Sequence, residues 1–428
     1  MQRFDPMESL AASKHEFGEH GGVNMSVEAS TTFTVMDADT MPEVFQGRFG
    51  PEQGGCYLYG RHFNPTVYAL GKQMAALEGA EAAYCTASGM SAISATVMQI
   101  CNAGDHMVAS RTIYGGTFAL FNEYLPKKTG IRTSFVDMTN LEEVEQAFTS
   151  STRLLYVESM SNPTLRVADI PRLAQLAHKK GVLLVVDNTF CPLILSPLKL
   201  GADIVVHSIT KFINGASDVI AGAICASADF IGQLMGLTEG SLMLLGPTMD
   251  PHVASSISLR IPHLGLRMAE HSRRAALFAE RLQELGLPVI YPGLPSHPDS
   301  ALLESMANPG FGVCGILGLD LETPERANHF MDLLQNTGRF GLMAVSLGYF
   351  ETLLSCSASS TSSELNSEEQ RQAGIHPGLV RMSIGYTGSI EQRWGQLEAA
   401  IAQMGAWPKG PLDSPQHTFS GKTPLGDG

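Results

Sequence analysis

Two polar side chains that are able to do chemistry follow apolar runs of this sequence. Asp187 lies in VLLVVDN (182–188), and Lys211 comes soon after DIVVHS (203–208). Open α/β sheets bind ligands at the carboxyl ends of their strands, and a desolvated lysine has a lowered pKa and forms Schiff bases. We therefore predict that Lys211 and Asp187 hold the two ends of pyridoxal 5′-phosphate, whose pyridine nitrogen needs an acidic partner. Taken singly, a solvated lysine and a turn-forming aspartate are the commoner interpretations.

Two groups of small polar residues suit the phosphate of such a cofactor. The first is the turn Ser88-Gly89-Met90, where a predicted strand becomes a predicted helix. The free N–H groups and the dipole at a helix start favour an anion. The second is the pair Ser208 and Thr210, which adds two hydroxyl donors beside the lysine. Each group alone is more typical of an ordinary turn, and only their common order along the chain favours a phosphate site.

Aromatic and cationic residues elsewhere are candidates for completing the site. Tyr114 can stack on a ring and transfer protons, or it can be a core aromatic residue. Tyr59 and Arg61 suit a phosphate dianion, or they lie at the surface. Arg381 lies in the apolar run GLVRMSIG, where an unpaired charge is costly. Its partner is either a substrate carboxylate or a structural one, and the sequence favours neither.

Strand and helix patterns alternate along most of the chain. Near-continuous apolar strands between amphipathic helices predict an α/β fold with a mostly parallel sheet covered on both faces. We assign residues 66–262 to this large domain and residues 263–408, which begin with a long helix, to a smaller α+β C-terminal domain. Residues 1–65 lack sustained periodicity and are expected to form an arm that packs on a neighbouring subunit. Residues 409–428, rich in Pro, Gly and Ser, are expected to be disordered.

Composition narrows the class of protein. The formal net charge is −14 and no Lys/Arg stripe is present, which disfavours nucleic-acid binding. No apolar run is long enough to cross a membrane, and residues 1–20 do not resemble a secretory signal or a transit peptide. The seven cysteines are scattered and the 13 histidines show no ligand spacing, so we expect neither a disulfide framework nor a metal site. A cytoplasmic protein is therefore expected.

The candidate residues lie in blocks that resemble the Cys/Met-metabolism family of pyridoxal-phosphate enzymes. The resemblance extends over residues 15–405 and rests on YGRHFNPT (59–66), ASGMSAI (87–93), YGGT (114–117), ESMSNPT (158–164), VVDNTF (185–190), HSITKFINGASD (207–218), AVSLG (344–348) and GLVRMSIG (378–385). Within the family the methionine γ-lyase branch, in its plant form, is the most similar. That similarity rests on HEFGEHGGVNMSVEAS near the start, GSLMLLGPTM (240–249) and SLGYFETLLSCSASSTSSEL (346–365).

The resemblance implies both a fold and an assembly. The fold is type I of the pyridoxal-phosphate enzymes, which is similar to aspartate aminotransferase, and the assembly is a homotetramer of two tight dimers. Asp187 pairs with the pyridine nitrogen. Tyr59 and Arg61 reach the phosphate from the neighbouring subunit, where it is also bound by residues of the chain itself, namely Ser88, Gly89, Met90, Ser208 and Thr210.

The resemblance also implies the reaction, which is the α,γ-elimination of L-methionine to methanethiol, ammonia and 2-oxobutanoate. Lys211 forms the Schiff base with the cofactor and then moves protons. Tyr114 stacks over the ring and protonates the leaving sulfur, while Asn162 lies near the phenolic oxygen of the ring. Arg381, with Ser346 nearby, binds the carboxylate of the sulfur amino-acid substrate.

Two departures from the family pattern bear on the substrate. Bacterial methionine γ-lyases have a cysteine where this chain has Gly116, and SCSASST (355–361) replaces their usual methionyl-threonyl-histidine segment. Two other activities share the same cofactor residues. One is a lyase acting on cystathionine, homocysteine or cysteine, and the other is a γ-replacement transferase of the O-acetylhomoserine sulfhydrylase or cystathionine γ-synthase type. A non-catalytic scaffold is the alternative from another class.

Overall fold

The computed structural model describes residues 4–360, 365–405 and 407, which form an α/β structure with two sheets. In this part of the chain the larger sheet has seven strands: β1 (Ala82–Thr86), β2 (His106–Ser110), β3 (Arg132–Val136), β4 (Thr152–Glu158), β5 (Leu183–Asp187), β6 (Ile204–His207) and β7 (Gly222–Ala226). The smaller sheet has five: β8 (Val289–Ile290), β9 (Ile316–Asp320), β10 (Gly341–Met343), β11 (Thr352–Cys356) and β12 (Leu379–Ser383).

The order of the larger sheet brings the ends of β4, β5 and β6 side by side. The order is β1-β7-β6-β5-β4-β2-β3; the pairs from β3 to β6 are parallel, and β7 is antiparallel to both of its neighbours. The apolar strands β4 to β6 are buried almost throughout, as expected for strands covered on both faces. The mostly parallel sheet predicted from the sequence is confirmed. Its register pairs Glu158 with Asp187, so two acids meet at its carboxyl edge.

The helices begin and end at capping signals of the sequence. Asn64 caps the start of α3 through the amides of Thr66 and Val67, and Gly79 ends it with a φ of 64°. The described residues contain 16 α-helices: α1 (Pro6–Ala12), α2 (Met41–Phe45), α3 (Pro65–Glu78), α4 (Gly89–Ile100), α5 (Gly115–Ala119), α6 (Leu125–Thr129), α7 (Leu141–Ala147), α8 (Ile170–Lys179), α9 (Ala228–Leu234), α10 (Ser241–Leu245), α11 (Pro251–Arg260), α12 (Leu264–Glu284), α13 (Ser300–Met306), α14 (Pro324–Asp332), α15 (Ser367–Gln372) and α16 (Ile390–Gln403).

The smaller sheet belongs to an α+β region, as the sequence predicts. Its order is β10-β11-β12-β9-β8, in which β10 and β11 are parallel and the other pairs are antiparallel. Strand β11 is not predicted from the sequence, because its residues show no alternation and include Ser355 and Cys356. It is nevertheless buried along its whole length, since it lies between β10 and β12.

Two apolar clusters cover the two faces of the larger sheet. Leu154 and Tyr156 of β4 belong to one cluster, and Leu155 and Val157 belong to the other, which is the alternation expected of a strand. The second cluster continues from the large sheet into the small domain, where it includes Ile316. The large sheet and the small sheet therefore share one apolar core.

The beginning of the chain differs from the irregular arm expected over residues 1–65. Asp5 caps helix α1, and Pro6 occupies its first turn. Met7 and Leu10 of this helix pack against the core of the body. The Asp-Pro pair is itself a helix-start signal, so this docked helix has a basis in the sequence.

Three further expectations concern the C-terminal tail, membrane-spanning helices and metal sites. The predicted disordered tail, residues 409–428, lies outside them. Among the residues that the structure describes, no helix is long and apolar enough to cross a membrane. No group of three or more His, Cys, Asp or Glu side chains within that part is arranged to hold a metal ion.

Candidate active site

Lys211 lies just beyond the carboxyl end of β6, in a turn that its own backbone closes. Its amide donates to the carbonyl of Ser208 at 3.2 Å, and its carbonyl accepts the amide of Gly215 at 2.8 Å. The Nζ atom donates to Oγ of Ser346 at 3.2 Å. Burial, aided by the charge of Arg381, lowers the pKa of Lys211 to about 8. An amine with this pKa has an appreciable neutral fraction near pH 7 and can attack a carbonyl carbon.

Asp187 ends β5 as a buried carboxylate surrounded by neutral donors. Its Oδ1 accepts the amide of Thr189 at 3.0 Å and the hydroxyl at 2.5 Å, and its Oδ2 accepts the hydroxyl of Tyr156 at 3.1 Å. Burial raises the pKa of Asp187 in spite of these donors. Because none of them is a cation, a protonated pyridine nitrogen is a suitable partner for this carboxylate.

The Ser88 turn and the Ser208 turn lie against each other, as a shared phosphate site requires. A Cβ added to Gly89 would lie 2.7 Å from Cβ of Ser208, so this approach needs glycine. Ser88 caps α4 by accepting the amide of Ser91 at 3.1 Å. The amides of Gly89 and Met90 belong to the first turn and have no intrahelical acceptor. An anion at this point meets backbone donors and the hydroxyl of Ser208.

Two threonines beside the Ser88 and Ser208 turns have different roles. The hydroxyl of Thr210 donates to the carbonyl of Ala221 at 3.2 Å and accepts its amide at 3.0 Å. Thr210 can therefore donate to a phosphate only by giving up the Ala221 carbonyl. Thr189 is absent from the sequence prediction, yet it accepts the amide of Ser208 at 2.8 Å while it donates to Asp187. It thereby links the phosphate side of the site to the pyridine side.

Arg381 lies buried on β12 and its contacts leave part of its guanidinium available. Nη1 donates to Oδ1 of Asn162 at 3.0 Å, and Nη2 donates to the carbonyl of Ser346 at 2.9 Å. Nε has no acceptor among the described residues. Burial lowers the pKa of Arg381 to about 10. Its partners in this structure are neutral oxygens rather than a structural carboxylate, which favours the alternative of a substrate carboxylate.

Tyr114 lies at the start of α5 near this arginine. Its amide donates to Oε1 of Glu158 at 2.7 Å, and its side chain is 42% exposed. The Tyr114 side chain favours the charged form of Arg381. The ring lies against Gly116, where an added Cβ would be 2.7 Å from Cε1 of the tyrosine. The absence of a side chain at Gly116 thus sets the space in which the phenol lies.

Tyr59 and Arg61 are not brought to the strand ends by contacts within the described part of one chain. Nη1 of Arg61 donates to the carbonyl of Met243 at 2.7 Å. The backbone carbonyl of Arg61 accepts the hydroxyl of Tyr84 at 3.1 Å. Its guanidinium carbon lies 5.7 Å from the centre of the Tyr59 ring. Tyr59 is 42% exposed. Delivery of these two residues to a neighbouring subunit remains a prediction.

Three residues of the site are absent from the sequence prediction: Glu158, Thr189 and Tyr156. Glu158 and Thr189 each stand at the carboxyl end of a predicted strand, the same position that led to Asp187. Their polar character there is a usable signal. Tyr156 lies inside β4 among apolar residues and is fully buried. Its role as a donor to Asp187 depends on the pairing of β4 with β5, which the sequence does not specify.

The arrangement fits pyridoxal 5′-phosphate at each of its functional groups. A glycine-lined helix start, a reactive amine and a buried carboxylate follow β1, β6 and β5, whose carboxyl ends lie at one edge of the sheet. This is the ligand edge of an open α/β sheet. The fold and the site together define a pyridoxal-phosphate-dependent enzyme of fold type I.

Comparisons with known proteins agree with this class. The family model for Cys/Met metabolism PLP-dependent enzymes matches residues 8–392. A methionine gamma-lyase of Arabidopsis thaliana is 58% identical over 401 residues, which cover 94% of this chain and 91% of the relative. An L-methionine gamma-lyase of Fusobacterium nucleatum subsp. polymorphum is 39% identical over 393 residues, with 90% and 95% covered.

A solved structure adds evidence on the cofactor. It is from Campylobacter jejuni, was proposed to be an O-acetylhomoserine (thiol)-lyase, and contains N′-pyridoxyl-lysine-5′-monophosphate. It is 27% identical, has a TM-score of 0.85 and matches 93% of this chain and 100% of its own. The present chain belongs to the Cys/Met metabolism family of PLP-dependent enzymes. The fold, the family and the cofactor predicted from the sequence are thus confirmed.

Proposed function

We propose that this protein catalyses the α,γ-elimination of L-methionine, which with one molecule of water gives methanethiol, ammonia and 2-oxobutanoate. One observation carries the proposal: Lys211 and Arg381 both contact Ser346, at 3.2 Å through its Oγ and at 2.9 Å through its carbonyl. A proton-transferring amine and a carboxylate-binding cation therefore flank one point, as an amino-acid substrate requires. The 58% identity to a methionine gamma-lyase supports the choice of methionine.

Arg381 binds the α-carboxylate of the substrate, and its buried setting strengthens that attraction. The α-carbon then lies beside Lys211, whose neutral amine removes the α-proton. The cofactor, when bound, supplies the electron sink for the charge that develops at this carbon. Asp187 in its ionised form would pair with the pyridine nitrogen and keep it protonated. The Ser88 and Ser208 turns would hold the phosphate, and Asn162 orients Arg381.

Release of the thiol requires three further proton transfers. The ammonium of Lys211 returns its proton to the substrate skeleton and so becomes a base again for the β-proton. Tyr114 donates a proton to the sulfur as the bond to the γ-carbon breaks, since an alkyl thiolate is a poor leaving group without an acid. The exposure of Tyr114 and the packing of its ring against Gly116 suit a phenol that approaches the end of an extended side chain.

We also propose a cytoplasmic homotetramer of two dimers that share their active sites. In this assembly Tyr59 and Arg61 bind the phosphate in the neighbouring subunit. Exposed apolar residues of the arm support such packing, for example Met36 at 93% and Phe17 at 66% exposure.

A product assay tests the reaction directly. Purified protein loaded with pyridoxal phosphate is given methionine, homocysteine, cystathionine or O-acetylhomoserine, with and without an added thiol, and 2-oxobutanoate, ammonia and thiol are measured. The proposal expects 2-oxobutanoate and methanethiol from methionine without added thiol. A loaded protein that forms no 2-oxobutanoate from methionine would exclude this function. Thioether formation only when thiol is added would favour γ-replacement, and turnover of cystathionine or homocysteine alone would favour the other lyases.

A further inference from the structure

Glu158 is a buried carboxylate at the end of β4 that the mechanism above does not use. Its Oε1 accepts the amide of Tyr114 at 2.7 Å, and its Oε2 accepts the amide of Asn162 at 3.0 Å. We propose that Glu158 is a positioning residue that fixes the phenol of Tyr114 relative to the carboxylate-binding Arg381. The inference deepens the proposed function, because the roles of Tyr114 and Arg381 are those assigned there.

The connection to Arg381 runs through one side chain. The amide of Asn162 is held by Glu158, and Oδ1 of Asn162 accepts Nη1 of Arg381 at 3.0 Å. A shift of the Asn162 backbone therefore moves the acceptor that orients the guanidinium. The other oxygen of Glu158, Oε1, accepts the amide of Tyr114, the residue just before α5 that carries the phenol. The two oxygens of one carboxylate thus position both Tyr114 and, through Asn162, Arg381. These are the two residues that are proposed to contact opposite ends of the substrate.

The position needs a carboxylate rather than another polar group. Two N–H donors approach the two oxygens, and only a carboxylate offers an acceptor at both positions. A glutamine offers one acceptor, and its NH₂ group faces the second N–H. Burial and the nearby charge of Asp187 raise the pKa of Glu158 to about 8. The amide hydrogen bonds from Tyr114 and Asn162 act in the opposite direction and favour the ionised form.

The test compares Glu158→Gln with the matched control Glu143→Gln, both as holoenzymes. Glu143 is a half-buried glutamate whose carboxylate contacts Arg111 at 2.7 Å outside the site. Binding of L-norleucine, which has the length of methionine but no sulfur, is followed through the absorbance of the cofactor. Hydrogen exchange is measured at the amides of Tyr114 and Asn162, with the Thr189 amide as an internal reference.

We expect Glu158→Gln to weaken norleucine binding about tenfold and to speed exchange at Tyr114 or Asn162 by about tenfold, which corresponds to the loss of one hydrogen bond. Exchange at Thr189 and all properties of Glu143→Gln should match the wild type. Wild-type norleucine affinity or wild-type exchange at both amides in Glu158→Gln would overturn the proposal. A wild type that binds norleucine but eliminates nothing from methionine would refute the proposed function alone, because the exchange and affinity measurements still test Glu158.

A second variant covers the case in which Glu158→Gln does not fold. Asn162→Ala keeps the backbone amide that Glu158 accepts but removes the side-chain contact to Arg381. The proposal expects weaker norleucine binding, again by about tenfold, with exchange at the Tyr114 amide unchanged. Unchanged affinity for norleucine in Asn162→Ala would overturn the connection from Glu158 to Arg381.

Discussion

Nζ of Lys211 lies 3.2 Å from Oγ of Ser346, a contact that joins the large sheet domain to the small domain. The backbone two residues after Ser346 also packs closely against the residue that follows Lys211. A Cβ added to Gly348 would lie 2.5 Å from the amide nitrogen of Phe212. The lysine therefore does not lie on a free strand end. Its environment is assembled from two domains, and that assembly supplies both the burial and the cation that lower its pKa.

The pKa of Lys211, about 8, predicts how the apoenzyme combines with its cofactor. The amine is protonated and unreactive below this pH and neutral above it, so the rate of cofactor binding should rise with pH and level off above the pKa. Arg381→Ala removes a neighbouring positive charge, which stabilises the ammonium and should move the midpoint to higher pH. Ser346→Ala removes an acceptor from the ammonium and should move it to lower pH. Stopped-flow absorbance checks this, and a common midpoint in all three proteins would contradict it.

Asp187→Asn should uncouple cofactor binding from turnover. The phosphate contacts remain, but the pyridine nitrogen loses its anionic partner, so we expect the elimination rate to fall by about 100-fold, the value of a strong charged hydrogen bond. Asp203→Asn is the control, because Asp203 lies at the opposite end of β6 and contacts His178 and the amide of Leu184. The initial rate per bound cofactor is the measurement. Equal elimination rates in the two variants would show that Asp187 has no role in the reaction.

Gly89→Ala should weaken cofactor binding. Its new methyl group would lie 2.7 Å from Cβ and 2.9 Å from Cα of Ser208, so one of the two phosphate-binding turns must move. Loss of one charge-assisted contact predicts a rise of about tenfold or more in the dissociation constant for pyridoxal phosphate. Gly232→Ala is the matched control, since nothing lies within 4 Å of a Cβ added there. Equilibrium dialysis of the two apoenzymes measures their affinities for pyridoxal phosphate. Equal affinities would refute a phosphate site between the Ser88 and Ser208 turns.

Mixed oligomers test whether the arm completes a neighbouring site. Lys211→Ala and Arg61→Ala should each be almost inactive alone. If sites are shared, one site of each mixed dimer is intact, so unfolding and refolding an equal mixture should restore about a quarter of the wild-type activity. A mixture that remains as inactive as its components would show that Arg61 acts within its own subunit or not at all.

Much of the fold was predictable because its strands carry strong signals. Runs such as VLLVVDN are buried on both faces and have few alternatives to a central parallel strand. Lys211, Asp187 and Ser88 were found for a related reason: polar residues that end apolar strands of a parallel sheet must meet at one edge. The cofactor followed from the order of these groups and the family from the resemblance of the blocks in which they lie, and both are confirmed by the comparisons.

The parts that were not predictable depend on contacts distant in sequence. Glu158 holds the amide of Tyr114, 44 positions away, and no local pattern reports that bond. The hydrogen bond from the Thr210 hydroxyl to the carbonyl of Ala221 likewise depends on the position of β7, which follows Ala221. Strand β11 lacks alternation and owes its structure to its two neighbours. In each case the tertiary arrangement, rather than local propensity, determines the result.

Lys211 is predicted to carry the cofactor, and chemical mapping tests this assignment most directly. The holoenzyme is treated with borohydride, which reduces the Schiff base to a stable pyridoxyl-lysine, and is then digested and sequenced by mass spectrometry. We predict one pyridoxyl group per chain, located on Lys211. A pyridoxyl group on another lysine, or none on an enzyme that is active with methionine, would contradict the account.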